Sequence, residues 1–163
     1  MKKASVAFII CCAVLTGCVC YSCTKEQGIN PLLAYNDRAL YDSCKNTAAF
    51  KYYKNNPAAI YSGAHGPHGA FKLRFNTIAY AVLTDNGKLP LNTKFPDGSM
   101  IVKDIQSNGQ YALMYKKTGS WLWAEINADG SVAFSTSKEP TAACVSCHSQ
   151  SGQRDLALSF NFY

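Results

Sequence analysis

Three things are lacking: a full spanning length in the apolar stretch Ala4 to Val14, a cluster of lysine and arginine, and any internal repeat or low-complexity tract. A spanning helix needs about 20 apolar residues, and the eleven of this stretch are too few for a stable one. The second sets nucleic-acid binding aside: the net charge is +6, removing Lys2 and Lys3 leaves +4, and a solvated basic surface accounts for it. Charged residues are scarce at 16%, but the hydrophobic fraction of 48% is that of a globular chain and not a disordered one. At 163 residues there is room for one domain and not for two ordinary cores. Histidine is the scarcest chemical resource, with three in all, at 65, 68 and 148.

What the sequence does have begins at its N-terminus. Lys2 and Lys3 precede an apolar stretch of eleven residues, Ala4 to Val14, and Leu15-Thr16-Gly17-Cys18 follows at once. This reads as a cleaved signal, and its ending resembles a bacterial lipobox. Residues 1–17 are then a lipoprotein signal peptide, Cys18 the lipid anchor, 18–30 a lipidated tether and 31–163 the folded domain. The expected location is the bacterial periplasm or cell envelope, held to a membrane by the lipid. The alternative is an ordinary secretory signal with a chance cysteine; Cys23 fits a lipobox poorly. Of eight cysteines, Cys11 and Cys12 leave with the signal and Cys18 is acylated, so Cys20, Cys23, Cys44, Cys144 and Cys147 remain. An odd remainder argues against a disulfide framework, although Cys44 can still pair with Cys20 or Cys23 in an oxidising compartment.

Along the domain, Asn30-Pro31 marks a helix start, and Leu32, Leu33, Tyr35, Leu40, Tyr41 and Cys44 follow helical spacing, which predicts a helix over 31–45. Ala48 to Tyr53 continues it or starts a second one that Asn55-Asn56-Pro57 ends. The Gly-rich stretch 62–69 is a loop. Phe71, Leu73 and Phe75 alternate with Lys72 and Arg74 as a strand does, and Asn76 is placed to cap a short helix through Leu83. Met100 to Ile105, Gln110 to Lys117, Trp121 to Ile126 and Val132 to Ser135 read as strands, the last two joined by the Asn127-Ala128-Asp129-Gly130 turn. The fold class expected is a β-rich α+β domain, an antiparallel sheet packed against one or two N-terminal helices.

Near the C-terminus stands Cys144-Val145-Ser146-Cys147-His148, the pattern of covalent haem attachment. Two thiols at this spacing add across the vinyl groups on one haem edge, and the adjoining imidazole reaches the iron. The expectation is one covalent haem c with His148 as metal ligand, in a C-terminal haem-attachment segment. Three other uses of the same residues stand beside it: a structural disulfide, a thioredoxin-like redox pair without its βαβ setting, and half of a zinc site lacking two ligands.

The order of motifs around this signature carries a resemblance. Phe95-Pro96-Asp97-Gly98 with Met100-Ile101-Val102-Lys103, then Tyr111 to Lys117, Trp121-Leu122-Trp123-Ala124-Glu125 and Asp129-Gly130-Ser131, resemble over about residues 64–163 the cytochrome P460 family and its relative cytochrome c′-beta. The resemblance implies a β-rich fold, usually a homodimer, with a single haem c open on its distal side. It implies binding or oxidation of small nitrogen species such as hydroxylamine and nitric oxide, with a redox partner protein. In the P460 type a lysine is also linked to the haem edge, and Lys72 lies at about the right distance before the motif for that role; a surface lysine is the alternative. Arg74 is either a surface charge or a partner for a haem propionate. Distal proton acceptors are sought among Asp97, Asp104 and Glu125, and distal rings among Phe71, Phe75 and Phe95. His65, His68, Met100 and Met114 are the further axial-ligand candidates, and Trp121 with Trp123 share one strand face as packing residues. Three functions remain: a P460-like oxidoreductase, a gas-binding c′-beta-like protein, and a simple electron-transfer cytochrome.

Overall fold

The computed structural model describes residues 37–63, 66–117, 120–135 and 142–161, and the signal, anchor and tether assigned to 1–30 lie outside them. The elements in chain order are α1 (Asp37–Lys45), β1 (Phe50–Tyr52), β2 (Phe71–Asn76), α2 (Thr77–Ala81), β3 (Met100–Ile105), β4 (Tyr111–Lys117), β5 (Ser120–Ile126), β6 (Val132–Ser135) and α3 (Ala142–His148). The six strands form one antiparallel sheet in sequence order, each paired with its neighbour along the chain. The fold is therefore a β-rich α+β domain, as its alternating segments predict.

Successive side chains on a strand point to opposite faces, so register assigns each residue to one of two layers. On the first face Leu73, Phe75, Ile101, Met114, Trp121 and Trp123 form a core with Ala157 and Phe160 of the C-terminal segment. On the second face Val102, Leu113, Tyr115 and Ile126 pack against Leu40, Tyr41 and Cys44 of α1. The N-terminal helix thus covers only one face. The other is covered by chain from the far end.

Between residues 48 and 53 the structure departs from the helical expectation. Thr47–Ala49 is a single 3₁₀ turn, and Phe50 to Tyr52 form β1, with Phe50 opposite Asn76 and Tyr52 opposite Arg74. Three residues are too few to carry a period, and pairing with β2 overrides local preference.

Two polar devices hold the layers in place. Asn76 is 5% exposed; its amide oxygen accepts from Ala79 N (3.0 Å) and Met100 N (3.0 Å), and its amide nitrogen donates to Gly98 O (2.8 Å). One side chain therefore caps α2 and anchors the start of β3. At the opposite edge the Tyr41 hydroxyl donates to Ala128 O (2.8 Å), drawing α1 onto the β5–β6 turn. Gly130 in that turn has φ +88°, and a Cβ there would sit 2.9 Å from the Tyr41 ring, so both backbone and contact require glycine.

Arg74 is 1% exposed on the α1 side, where it forks onto Asp104 (Nε 2.7 Å and Nη2 2.6 Å) and donates from Nη2 to Cys44 O (2.9 Å). Bidentate geometry and a carbonyl at the end of α1 offset the desolvation of a buried guanidinium. Cys44 is a free, fully buried thiol whose pKa burial pushes up to about 12.

Replacing Asn76 with alanine removes a cap and leaves buried backbone donors without partners. The expected loss is about 2–4 kcal/mol in urea unfolding, with an unchanged fold by circular dichroism; a loss below about 0.5 kcal/mol would show that water replaces these bonds at little cost.

Candidate functional site

α3 places Cys144, Cys147 and His148 at positions i, i+3 and i+4, which puts all three on one side of a helix. That side faces a cavity of about 260 Å³ against the first face of the sheet. Cys144, Cys147 and His148 line it from α3; Phe71, Phe75, Ile101, Lys103 and Trp123 line it from the strands; Leu158 and Phe160 line it from the chain's last turn. Both cysteines are free thiols, neither bonded to the other. Burial, with Glu125 nearby as a lesser cause, raises the pKa of Cys144.

His148 is oriented from both sides. Its Nδ1 lies 2.7 Å from Leu156 O, and because a carbonyl can only accept, Nδ1 carries the proton and donates. Its ring meets Trp123 edge to face at 4.5 Å between centroids and 70° between planes. With Nδ1 engaged, Nε2 holds the lone pair available to a ligand. Burial lowers the His148 pKa most, the Leu156 carbonyl opposes this, and Lys103 adds to the lowering, so the neutral, ligating form prevails at pH 7.

On the facing wall stand Lys103, His68 and Glu125. Burial brings the Lys103 pKa down to about 8, with Cys147 opposing, and its ammonium lies 4.5 Å from the Phe71 ring centroid. Burial, then Lys103 and His148, lowers the His68 pKa from 6.5 to about 4. Its Nδ1 is 3.4 Å from Glu125 Oε1, a contact that at neutral pH joins a neutral imidazole to a carboxylate and is not an ion pair. Burial raises the Glu125 pKa.

The remaining candidates divide by strand parity. Phe71, Phe75, Met114 and Glu125 line the cavity. Phe95 packs instead on Trp121, with centroids 5.5 Å apart. Lys72, Arg74, Met100 and Asp104 occupy the opposite parity of β2 and β3; Lys72 reaches toward Tyr52 at 6.0 Å, and Arg74 is taken by Asp104. Lys103 therefore lines the cavity, and Lys72 and Arg74 do not. Asp97 is an exposed turn residue before β3. His65 and Cys18 lie outside the described residues. Lys103 was the residue sequence reasoning missed. Its one signal is its place between Ile101 and Ile105, on the parity that pairs with Phe71 and Leu73, but Met100 and Val102 make the other parity equally apolar.

The donor set suits a covalently held macrocycle better than a bare metal ion. Among the described residues no group of three or more His, Cys, Asp or Glu is placed to hold a metal directly, whereas two free thiols and an oriented imidazole open onto one apolar space. Comparison with family models, with curated proteins and with solved structures finds no match to this chain.

The His68 shift has a measurable consequence. The unfolded chain takes up the His68 proton as pH falls through 6.5 and the folded chain only near 4, so stability falls across that window and levels off below it. The His68 share is roughly 3 kcal/mol at most. In pH-dependent urea unfolding, His68→Gln should flatten the slope between pH 6.5 and 4; an unchanged slope would mean His68 is protonated in the folded protein.

Proposed function

We propose that this chain is an exported, lipid-anchored monohaem cytochrome of the c type, resembling cytochrome P460, that binds or oxidises small nitrogen species at the sheet side of its haem. The observation that carries the reading is the meeting of Cys144, Cys147 and His148 on one side of α3, facing one apolar cavity, with the His148 Nδ1 already engaged. In this reading Cys144 and Cys147 would hold the haem and His148 would bind its iron through Nε2; the haem would supply a redox-active iron able to take a diatomic or hydroxylamine ligand.

The chain's own residues do the rest. Phe71 and Phe75 exclude water from the sheet side, which strengthens every electrostatic contact there. Glu125, its pKa raised by burial, takes a proton from a bound substrate more readily than an exposed glutamate, and His68 beside it orients the carboxylate. The role of haem-linked lysine that the family resemblance implies for Lys72 falls in this reading to Lys103, because it alone of the two lines the cavity. A gas-binding protein without turnover is the second reading, favoured by the apolar wall of Phe71, Phe75 and Ile101. A two-ligand electron carrier would draw on His68 or Met114, which also reach this wall. Lipid attachment through Cys18, a cell-envelope location, a redox partner and a homodimer belong to the same proposal.

The first test is the absorption spectrum of the exported protein, with haem counted after denaturation. One haem c per chain is expected, retained on a denaturing gel and lost from it in the Cys144→Ser, Cys147→Ser double variant; a haem-free wild-type chain sinks the proposal. The ferrous spectrum then separates the readings. A red-shifted band of the P460 kind should disappear in Lys103→Ala and persist in Lys72→Ala, and hydroxylamine turnover should fall with Glu125→Gln by roughly 100-fold. An ordinary high-spin spectrum that shifts with nitric oxide, without turnover, assigns the protein to gas binding.

A further inference from the structure

The segment after α3 contains two consecutive non-glycine residues in the left-handed region, Asp155 (φ 49°) and Leu156 (φ 64°). Side chains disfavour this conformation, and it persists only where surrounding contacts over-determine it. Those contacts converge on Asp155 from three separate parts of the fold. Lys116 Nζ on β4 lies 3.0 Å from both carboxylate oxygens, and Phe95 N, in the approach to β3, donates to Oδ2 at 2.9 Å. Trp121 Nε1 on β5 donates to the Asp155 carbonyl at 2.7 Å. The two charged side chains are 3% and 8% exposed, so the pair is buried, and Lys116 also sits 4.8 Å from the Trp121 ring.

The effect of this arrangement falls on the next residue. Leu156 presents its carbonyl to His148 Nδ1, and its own N–H donates to the Gln153 side chain. No other hydrogen bond of the His148 ring is found among the described residues. The direction of the imidazole therefore depends on a carbonyl whose place is set by Asp155.

We propose that Asp155 is the positioning residue for His148, acting through the Leu156 carbonyl, with Lys116 and Trp121 as its supports. Its consequence for a bound iron rests on the haem reading above. A carbonyl held firmly on Nδ1–H keeps the proton off Nε2 and raises the ligand's basicity, as outer partners of metal-bound histidines generally do. Loosening it should weaken the bond to iron and raise the reduction potential.

The test uses full-length protein as purified, labelled with ¹⁵N in the histidine rings and examined as the ferrous carbon monoxide complex. The His148 Nδ1 proton should exchange slowly in the wild type and roughly tenfold faster or more in Asp155→Ala, with a raised potential. Asp155→Asn, which keeps an acceptor for Phe95 N, should fall between them. Trp121→Phe keeps both members of the ion pair and an aromatic ring beside Lys116 while removing the hydrogen bond to the Asp155 carbonyl; it too should speed exchange, and it decides the matter if Asp155→Ala does not fold. A purely structural role would lower the melting temperature and leave exchange and potential at wild-type values in both folded variants, which would overturn the proposal. A wild-type chain without haem would sink the cytochrome reading but not this one, because the Nδ1 proton can still be followed in the haem-free protein.

Discussion

The pleat of the central sheet is the constraint on which the rest of this molecule depends. Every strand divides its side chains between two layers, and the two layers have different tasks. The face toward α1 is closed by mixed aliphatic and aromatic packing and by the Arg74–Asp104 fork. The face toward α3 is left with a cavity, and the groups with shifted ionisation around it, Lys103, His68, Glu125 and His148, owe those shifts chiefly to burial there. A slip of one residue in β3 would exchange Lys103 for Asp104 and invert the chemistry of the site.

Closing the cavity side falls to residues 149–161 behind α3, which contain little regular structure. They are held instead by charges drawn in from the sheet and loops. Lys116 meets Asp155, Arg154 donates to Asp85 and the Leu89 carbonyl, and Lys88 donates to the Phe160 carbonyl. The buried pair, Lys116 with Asp155, is a poor source of net stability because desolvation cancels most of its attraction, and the more exposed Arg154–Asp85 pair adds little. Their use here is geometric: they specify where an irregular segment lies, and with it the carbonyl that faces His148.

The same geometry lets one short helix gather three chemistry-bearing side chains, although among the described residues no group of three or more His, Cys, Asp or Glu is placed to hold a metal ion. Spacings of three and four bring two thiols and an imidazole to one side of α3. The sheet then supplies a wall of rings opposite, with one amine and one carboxylate set into it. Such a wall combines an apolar surface with groups that can exchange a proton, the combination on which the proposed chemistry would draw.

The strands from β2 to β6, the cap at Asn76, the turn at Asn127 to Gly130 and the Cys144, Cys147, His148 signature were legible in the sequence, because each rests on local spacing or on a residue with one conformational use. Phe50 to Tyr52 were not, since a three-residue edge strand exists only through its partner. Nor could local pattern choose Lys103 over Lys72: both alternate with apolar residues, and only the register of β2 against β3 decides which faces the cavity. The path of residues 153–160 was equally hidden. Its place is set by side chains as distant as Lys88 and Lys116, and contacts across such separations leave no period in the chain that makes them.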